Sequence, residues 1–182
     1  MKLENYKQRI IDEKISFYLT TFSSILIEGP KWCGKTWTSK NNSNSEIMLS
    51  DPKGNFNNKK LALMNPYLIL DGDFPRLIDE WQEAPLIWDA VRGKVDSDPR
   101  KGQFILTGSV TINKNKYIHT GTGRIARLKM RPMSLYESGK SKGEISLHDI
   151  CYGKAKDVYL NEVDINDIID CGNLENIFLC AV

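Results

Sequence analysis

The feature that most constrains this chain is a glycine-containing loop that directly follows a short apolar run. Residues 24–27 (SILI) have the composition of a fully buried strand. The pattern G-x-x-x-x-G-K-[ST] follows at Gly29, Gly34, Lys35 and Thr36. Glycines allow backbone dihedrals that turn consecutive N–H groups inward, and a helix opening at Thr36 adds its partial positive charge. The order strand, loop, helix therefore predicts a phosphate-binding loop rather than a simple glycine turn.

The side chains of this loop have specific expected tasks. The pattern implies that Lys35 reaches the β- and γ-phosphates of a bound nucleotide and that the Thr36 hydroxyl ligates Mg²⁺. Cys33 fills a variable position, and we interpret its side chain as having no chemistry of its own. The predicted nucleotide-binding residues are Gly29, Pro30, Lys31, Trp32, Cys33, Gly34, Lys35, Thr36 and Trp37.

A second apolar run ends in two acidic residues, Asp79 and Glu80. A phosphate loop needs a carboxylate that holds Mg²⁺ through water, and we expect Asp79 to end a strand beside the first one and to face the metal. Glu80 could then polarise a water for in-line attack on the γ-phosphate. The alternative is that both acids cap the next helix or lie in solvent. Since no N-K-x-D sequence occurs, the acid pair favours ATP hydrolysis over GTP switching.

A third buried strand is predicted over residues 103–107 (QFILT), and it would lie next to the phosphate loop. Two hydroxyl side chains stand at its end, Thr107 and Ser109. Either could sense the γ-phosphate or orient the attacking water. The alternative is a strand-terminating turn that uses Gly and Ser for backbone reasons.

A glycine–arginine segment precedes a strand with one basic face. Arg124 follows residues 119–123 (HTGTG), and it could act as an arginine finger on a neighbouring subunit of a homo-oligomer. Alternatively, the basic residues that alternate with apolar ones could contact nucleic acid phosphates. They could also form a solvated edge paired with acids. These basic residues are Arg127, Lys129 and Arg131.

The rest of the chain indicates a globular α/β protein. Apolar residues recur at helical spacing over residues 11–22 and 88–95, and these stretches alternate with the buried strands. This alternation predicts a mostly parallel sheet covered on both faces. The formal charge of +2 argues neither for nor against nucleic acid. No apolar run approaches the roughly 20 residues of a membrane helix, and the charged N-terminus predicts a cytoplasmic protein with reduced cysteines.

Four segments together carry a family resemblance: IEGPKWCGKTWTSK, PRLIDEWQEAPLIWDAVRGKVD, GQFILTGS and HTGTGRIARLKMRPMSLYESG. They resemble prokaryotic AAA-type ATPases of the AAA+ superfamily, whose N-terminal P-loop domain precedes a C-terminal domain similar to restriction endonucleases. The resemblance covers about residues 6–169. It implies a P-loop NTPase fold, a three-layer α/β/α sandwich with a mostly parallel, five-stranded sheet. It also implies ATP and Mg²⁺ as ligands and an ATPase cycle that drives a conformational change.

The family's site residues carry over to the same positions: Gly29, Gly34, Lys35 and Thr36 in the loop, the acids Asp79 and Glu80, the sensor stretch 107–109, and Arg124. The end of the chain departs from the family, because residues 170–182 read DCGNLENIFLCAV where family members continue into a long second domain. We therefore expect a P-loop domain over residues 1–140, and a connector with the truncated start of the C-terminal region over 141–182. The alternative function is a non-hydrolysing, truncated module that binds nucleotide or nucleic acid.

Overall fold

The protein is represented by a computed structural model, and the structure describes residues 4–109, 123–143 and 146–154. The segment around His119 and most of the expected C-terminal region lie outside these residues. Short 3₁₀ turns cover Pro66–Ile69 and Trp81–Glu83. The regular elements are α1 (Ile11–Thr21), β1 (Ser24–Gly29), α2 (Lys35–Asn41), β2 (Ser45–Met48), α3 (Asn57–Met64), β3 (Arg76–Asp79), α4 (Ile87–Ser97), β4 (Phe104–Ser109), β5 (Ile125–Lys129), α5 (Leu135–Ser138) and α6 (Leu147–Cys151).

The strands form one five-stranded sheet in the order β2-β3-β4-β1-β5. Every neighbouring pair is parallel, with Ser24 of β1 opposite Phe104 of β4 and Ile125 of β5. Parallel strands need crossover connections, and between β1 and β4 the helices α2, α3 and α4 lie in these connections. The predicted α/β/α fold with a parallel, five-stranded sheet is confirmed.

One expectation about the sheet is wrong. The strand that ends in Asp79 does not lie beside the phosphate-loop strand, because β4 is hydrogen-bonded between β3 and β1. The apolar runs of β3 and β4 are equally suited to a buried central position, so their composition could not order them. The consequence is that β4 separates the two strands and that its Thr107 also reaches the Asp79 carboxylate.

The two faces of the sheet pack against different helices. Side chains alternate between faces along a strand, so Leu26, Ile78 and Leu106 join one cluster while Ile25, Leu77 and Ile105 join the other. The first cluster includes the α4 residues, with the Trp88 ring tilted by 36° against that of Trp81 at 5.0 Å between ring centroids. The second includes Ile15 of α1 and is bordered by α2, because Asn42 at the end of α2 donates to Asp12 of α1. These clusters are the two halves of one core.

The C-terminal part of the described chain contains two short helices, α5 and α6, that apolar spacing did not reveal. Helix α5 is preceded by Ser134, whose hydroxyl accepts from the Glu137 N–H, while the Glu137 carboxylate accepts from the Ser134 N–H. This reciprocal capping box starts a helix of only one turn. Among the described helices none has the length and apolar content needed to cross a membrane.

Replacing Leu106 with Ala tests the central position of β4. Leu106 is fully buried in the α4-side cluster, so the cavity should lower the free energy of unfolding by about 2–5 kcal/mol. Leu68 is 56% exposed, and Leu68→Ala is the matched control, with an expected change within about 0.5 kcal/mol. Urea unfolding followed by circular dichroism measures both; equal losses would contradict a central β4.

Candidate functional site

The loop between β1 and α2 has the backbone geometry of an anion nest. Trp32 (φ 68°) and Gly34 (φ 94°) are in the left-handed region and flank Cys33. Left-handed residues alternating with right-handed ones turn successive N–H groups to one side. A Cβ at Gly34 would lie 3.0 Å from Arg9 Nη1, so glycine is required there for space as well as for conformation. The Trp32 side chain is 84% exposed, so this residue can contribute only its backbone to the nest.

Lys35 is the cation of this loop. Its side chain is only 6% exposed, and its ammonium donates to the carbonyls of Gly29 at 3.0 Å and Pro30 at 2.8 Å. An ammonium has three donors, so two of them hold the side chain against the loop. Lys31, by contrast, is exposed, as is Trp37 at 51%. Of the two lysines in the loop, Lys35 is therefore buried and held in one orientation, whereas Lys31 is solvated.

The Asp79 carboxylate lies directly against the start of α2. The Thr36 hydroxyl donates to Asp79 Oδ1 at 2.8 Å, and the Thr107 hydroxyl donates to the same oxygen at 2.6 Å. Asp79 is 5% exposed and Thr107 is fully buried. A carboxylate and a hydroxyl are the hard oxygen ligands that Mg²⁺ prefers. This donor set fits a magnesium site shared by the loop and β3.

The next residue, Glu80, is held by two contacts. Its N–H donates to the Thr107 hydroxyl at 3.1 Å, and its carboxylate accepts from the side-chain amide of Gln82. The Glu80 backbone is left-handed, with φ 56°, a conformation that costs a residue other than glycine of order 1 kcal/mol. Thr107 therefore links both acids, and Gln82 is a contact of Glu80 that the sequence pattern did not single out.

The two predicted hydroxyls and Arg124 have different positions. Ser109 pairs in register with Gly29, so it lies at the base of the loop and does not replace Thr107 as the bridge to Asp79. Arg124 precedes β5 at the opposite, amino end of the parallel strands, about 16 Å from the loop by strand rise. There its guanidinium pairs with Asp96 of α4. The structure thus does not bring Arg124 to the phosphate loop of its own chain.

The basic face of β5 is partly neutralised. Arg127 donates to Glu28 of β1 at 3.0 Å, and its guanidinium lies 5.3 Å from the centroid of the Trp88 ring. Lys129 and Arg131 are exposed. The contacts of Arg127 match the reading of this face as a basic edge paired with acids. Contact with nucleic acid phosphates stays a prediction for Lys129 and Arg131.

Cys33 is buried inside the loop. Its side chain is 2% exposed, and its Sγ would lie 2.8 Å from a Cβ placed on Gly29. Burial raises the pKa of the Cys33 thiol above its ordinary value, although the nearby Lys35 charge acts in the opposite direction. The side chain fills space between Gly29 and the core, and its lack of chemistry stays a prediction.

Arg9 is a contact of the loop that sequence reasoning missed. It lies before α1, is 5% exposed, and donates from Nη1 to the Cys33 carbonyl at 2.9 Å. Its Nε pairs with Glu137 at 3.0 Å, and its Nη2 donates to the Arg131 carbonyl at 2.9 Å. No local pattern marks this residue, because the contacts span separations of 24 to 128 residues. Only the tertiary structure brings these segments together.

Comparisons with known proteins identify one family and one similar solved structure. A family model described as an AAA domain matches residues 21–139. Among solved structures, RuvB T158V of Thermotoga maritima is similar, with 18% sequence identity and a TM-score of 0.42. The match covers 71% of this chain and 47% of that chain, so this chain spans about half the length of that protein. No curated protein matches the sequence.

Substitution of Thr107 tests the bridge between the two acids. Thr107→Val keeps the shape but removes the hydroxyl, which leaves the Glu80 N–H without its acceptor and Asp79 with one donor fewer. We expect a loss of about 1–3 kcal/mol in the free energy of unfolding. Thr107→Ser retains the hydroxyl and should lose less than half as much. Urea unfolding without nucleotide measures both; equal stability of the two variants would contradict the bridge.

The Glu137 carboxylate gives a prediction on pH. Burial alone would raise its pKa, but bonds from the Ser134 N–H, the Ile10 N–H and Arg9 outweigh burial and hold the pKa below its ordinary value of 4.5. A depressed acid pKa contributes stability above the unfolded-state pKa, and that contribution is lost as the pH falls through the folded-state pKa. The melting temperature of Glu137→Gln should therefore lie below that of the parent near neutral pH. The difference in melting temperature between the two proteins should narrow below about pH 4.5. A difference that stays constant across a pH series would contradict a depressed pKa for Glu137.

Proposed function

The chain belongs to the AAA domain family, and from this premise we propose that it binds MgATP at the loop of residues 29–36 and hydrolyses it. The observation that carries the proposal is the Asp79 oxygen that receives hydroxyls from both Thr36 and Thr107. This contact joins the phosphate loop to the acid of β3 across the intervening strand. A nucleotide-binding loop with an acid at that place is the arrangement that phosphoryl transfer requires.

Each residue of the proposed site has a role that its contacts support. The inward N–H groups of residues 31–36 would bind phosphate oxygens, with Lys35 turning from the Gly29 and Pro30 carbonyls toward the β- and γ-phosphates. Thr36 would ligate Mg²⁺ directly, and Asp79 would hold it through water. When bound, the ion neutralises charge on the transferring phosphoryl group.

Glu80 is the proposed general base. It would accept a proton from the attacking water as the oxygen of that water bonds to the γ-phosphorus and the bond to ADP breaks. Since the carboxylate is bound by Gln82 in this structure, Glu80 must exchange that donor for the water. Thr107 fixes the Glu80 backbone through its N–H and would sense the γ-phosphate through Asp79. Ser109, at the base of the loop, remains a candidate for orienting the water.

Arg124 supports a homo-oligomer within this proposal. It lies at the amino ends of the strands, whereas the phosphate loop follows the carboxyl end of β1. An arginine in this position could complete only the site of a neighbouring copy, where it would stabilise charge on the transferring phosphoryl. Asp96, which pairs with it here, would have to release it.

The bond between Gln82 and Glu80 also favours a second candidate function. A site that binds MgATP while Gln82 keeps the base occupied would be a nucleotide-binding interaction module without turnover. The same residues Lys35, Thr36 and Asp79 would bind the nucleotide in both cases. Release of phosphate above the level of a Glu80 variant distinguishes the two functions.

Two substitutions test nucleotide binding and turnover separately. Lys35→Ala should abolish binding of ATP, because it removes the loop cation. Glu80→Gln should retain binding and lose turnover by at least about 100-fold, since an amide cannot accept the proton. Lys60→Ala, on the exposed face of α3, is the control for lysine removal. Isothermal titration measures binding, and phosphate release measures turnover.

A thermal shift is the first measurement for the parent chain. MgATP at about 100 times its dissociation constant should stabilise the fold by about 2.7 kcal/mol. The same stabilisation should appear in Glu80→Gln and be absent in Lys35→Ala. Unchanged melting of the parent with MgATP would contradict the proposed site, and turnover by Glu80→Gln at the parent's rate would exclude Glu80 as the base.

A further inference from the structure

The buried guanidinium of Arg9 is a polar group for which neither the family pattern nor the proposed chemistry assigns a task. We propose that Arg9 is a positioning residue of the phosphate site, which orients the loop through the Cys33 carbonyl and is itself held by Glu137. The inference rests on the proposed nucleotide binding and adds a residue that does not touch the nucleotide. The observation that supports the inference is the 2.9 Å hydrogen bond from Arg9 Nη1 to the Cys33 carbonyl oxygen.

The bond acts on the loop through a single peptide plane. The Cys33 carbonyl and the Gly34 N–H belong to one trans peptide, in which the C=O and N–H point in opposite directions. Because Arg9 holds the Cys33 carbonyl, it turns the Gly34 N–H in the opposite direction, away from the guanidinium. Gly34 is left-handed, with φ 94°, and its own carbonyl accepts from the Thr38 N–H at 3.0 Å. The Arg9 bond therefore holds the peptide that precedes Gly34, and the start of α2 holds the peptide that follows it.

Arg9 is itself rigidly placed. Its Nε pairs with Glu137 at 3.0 Å, and the two side chains are 5% and 7% exposed. Its Nη2 donates to the Arg131 carbonyl at 2.9 Å, and its own N–H donates to Asp12 at 2.8 Å. The planar guanidinium has donors in a fixed fork, so holding two of them fixes the direction of the third. The loop geometry thus depends on residues 131–137 as well as on the segment before α1.

Glu137 has the contacts of a dedicated anchor. One carboxylate oxygen accepts from both Arg9 Nε and the Ile10 N–H, and the other accepts from the N–H and hydroxyl of Ser134. The Lys7 ammonium also reaches the Ser138 carbonyl at 3.2 Å. The capping box of α5 therefore fixes the carboxylate before it meets the arginine. A buried ion pair of this kind is weak evidence for stability by itself, so a role in orientation must be tested directly.

The experiment compares variants that separate folding from orientation. Arg9→Gln alone would leave the Glu137 charge buried and unpaired, so the double variant Arg9→Gln/Glu137→Gln removes both charges and keeps one side-chain oxygen to accept from the Ser134 N–H. Arg9→Lys keeps the charge without the planar fork. Arg100→Gln removes an exposed arginine that pairs with Asp98 and is the control. Unfolding without nucleotide, isothermal titration with ADP and ATP, turnover, and amide exchange of residues 31–35 are measured for each.

A positioning role predicts a specific combination of results. The double variant should fold with near-parental stability and bind ADP and ATP about 10–100-fold more weakly, the size expected for losing a hydrogen bond to a charged group. KM should rise while kcat at saturation changes by less than about threefold, because Thr36, Asp79 and Glu80 are untouched. Amide exchange in residues 31–35 should accelerate without nucleotide. Arg9→Lys should be intermediate, and Arg100→Gln should match the parent.

Two outcomes would overturn the inference. If the double variant bound ADP and ATP as tightly as the parent, with unchanged exchange in residues 31–35, Arg9 and Glu137 would only connect the segments structurally. If the parent itself bound neither ADP nor ATP, the proposed function and this inference would both fail. The second case is recognisable because the unsubstituted parent already fails to bind nucleotide.

Discussion

The contact on which the site depends is the convergence of two hydroxyls on one oxygen of Asp79. Thr36 approaches from the start of α2 and Thr107 from β4, so a helix and two strands meet within hydrogen-bond distance. Parallel strands bring their carboxyl ends to one edge of the sheet, and this geometry lets residues from distant parts of the chain share an atom. Because the carboxylate is almost entirely buried, its acceptors must be used within the protein or by a ligand. The position of the loop relative to β3 follows from this requirement.

Much of the fold could be predicted from local patterns. The G-x-x-x-x-G-K-[ST] loop and the apolar runs around Leu26, Leu77 and Leu106 identified three strands of the sheet, and helical spacing identified α1 and α4 to within two residues. The order of the strands was predicted only in part: β4 lies beside the phosphate-loop strand as expected, whereas β3 does not. Residues of β3 and β4 are equally apolar, and only pairing across the sheet shows that β4 lies between β1 and β3. The composition of a strand indicates that the strand is buried, but it does not indicate which strands pair with it.

The site was predictable to a different extent. Lys35, Thr36 and Asp79 are marked by motifs with a physical reason at each position, and their proximity agrees with that reasoning. The choice between Thr107 and Ser109 stayed open in the sequence, because both are hydroxyls near a strand end. Alternation puts both side chains on the same face of β4, so only their position along the strand separates them: Thr107 donates to Asp79, whereas Ser109 lies opposite Gly29. Arg9 and Glu137 are separated by 128 residues, and no local pattern reports a contact of that span.

The distribution of tryptophan has a practical consequence. Trp81 and Trp88 of α4 are in contact in the core, whereas Trp32 and Trp37 are exposed on the phosphate loop and the first turn of α2. Indole emission depends on the polarity around the ring, so the two pairs form separate optical populations within one chain. Fluorescence of the exposed pair reports on changes around the phosphate loop. Fluorescence of the buried pair reports on whether the hydrophobic core is folded. The protein therefore contains one intrinsic fluorescent probe at the phosphate loop and another in the hydrophobic core.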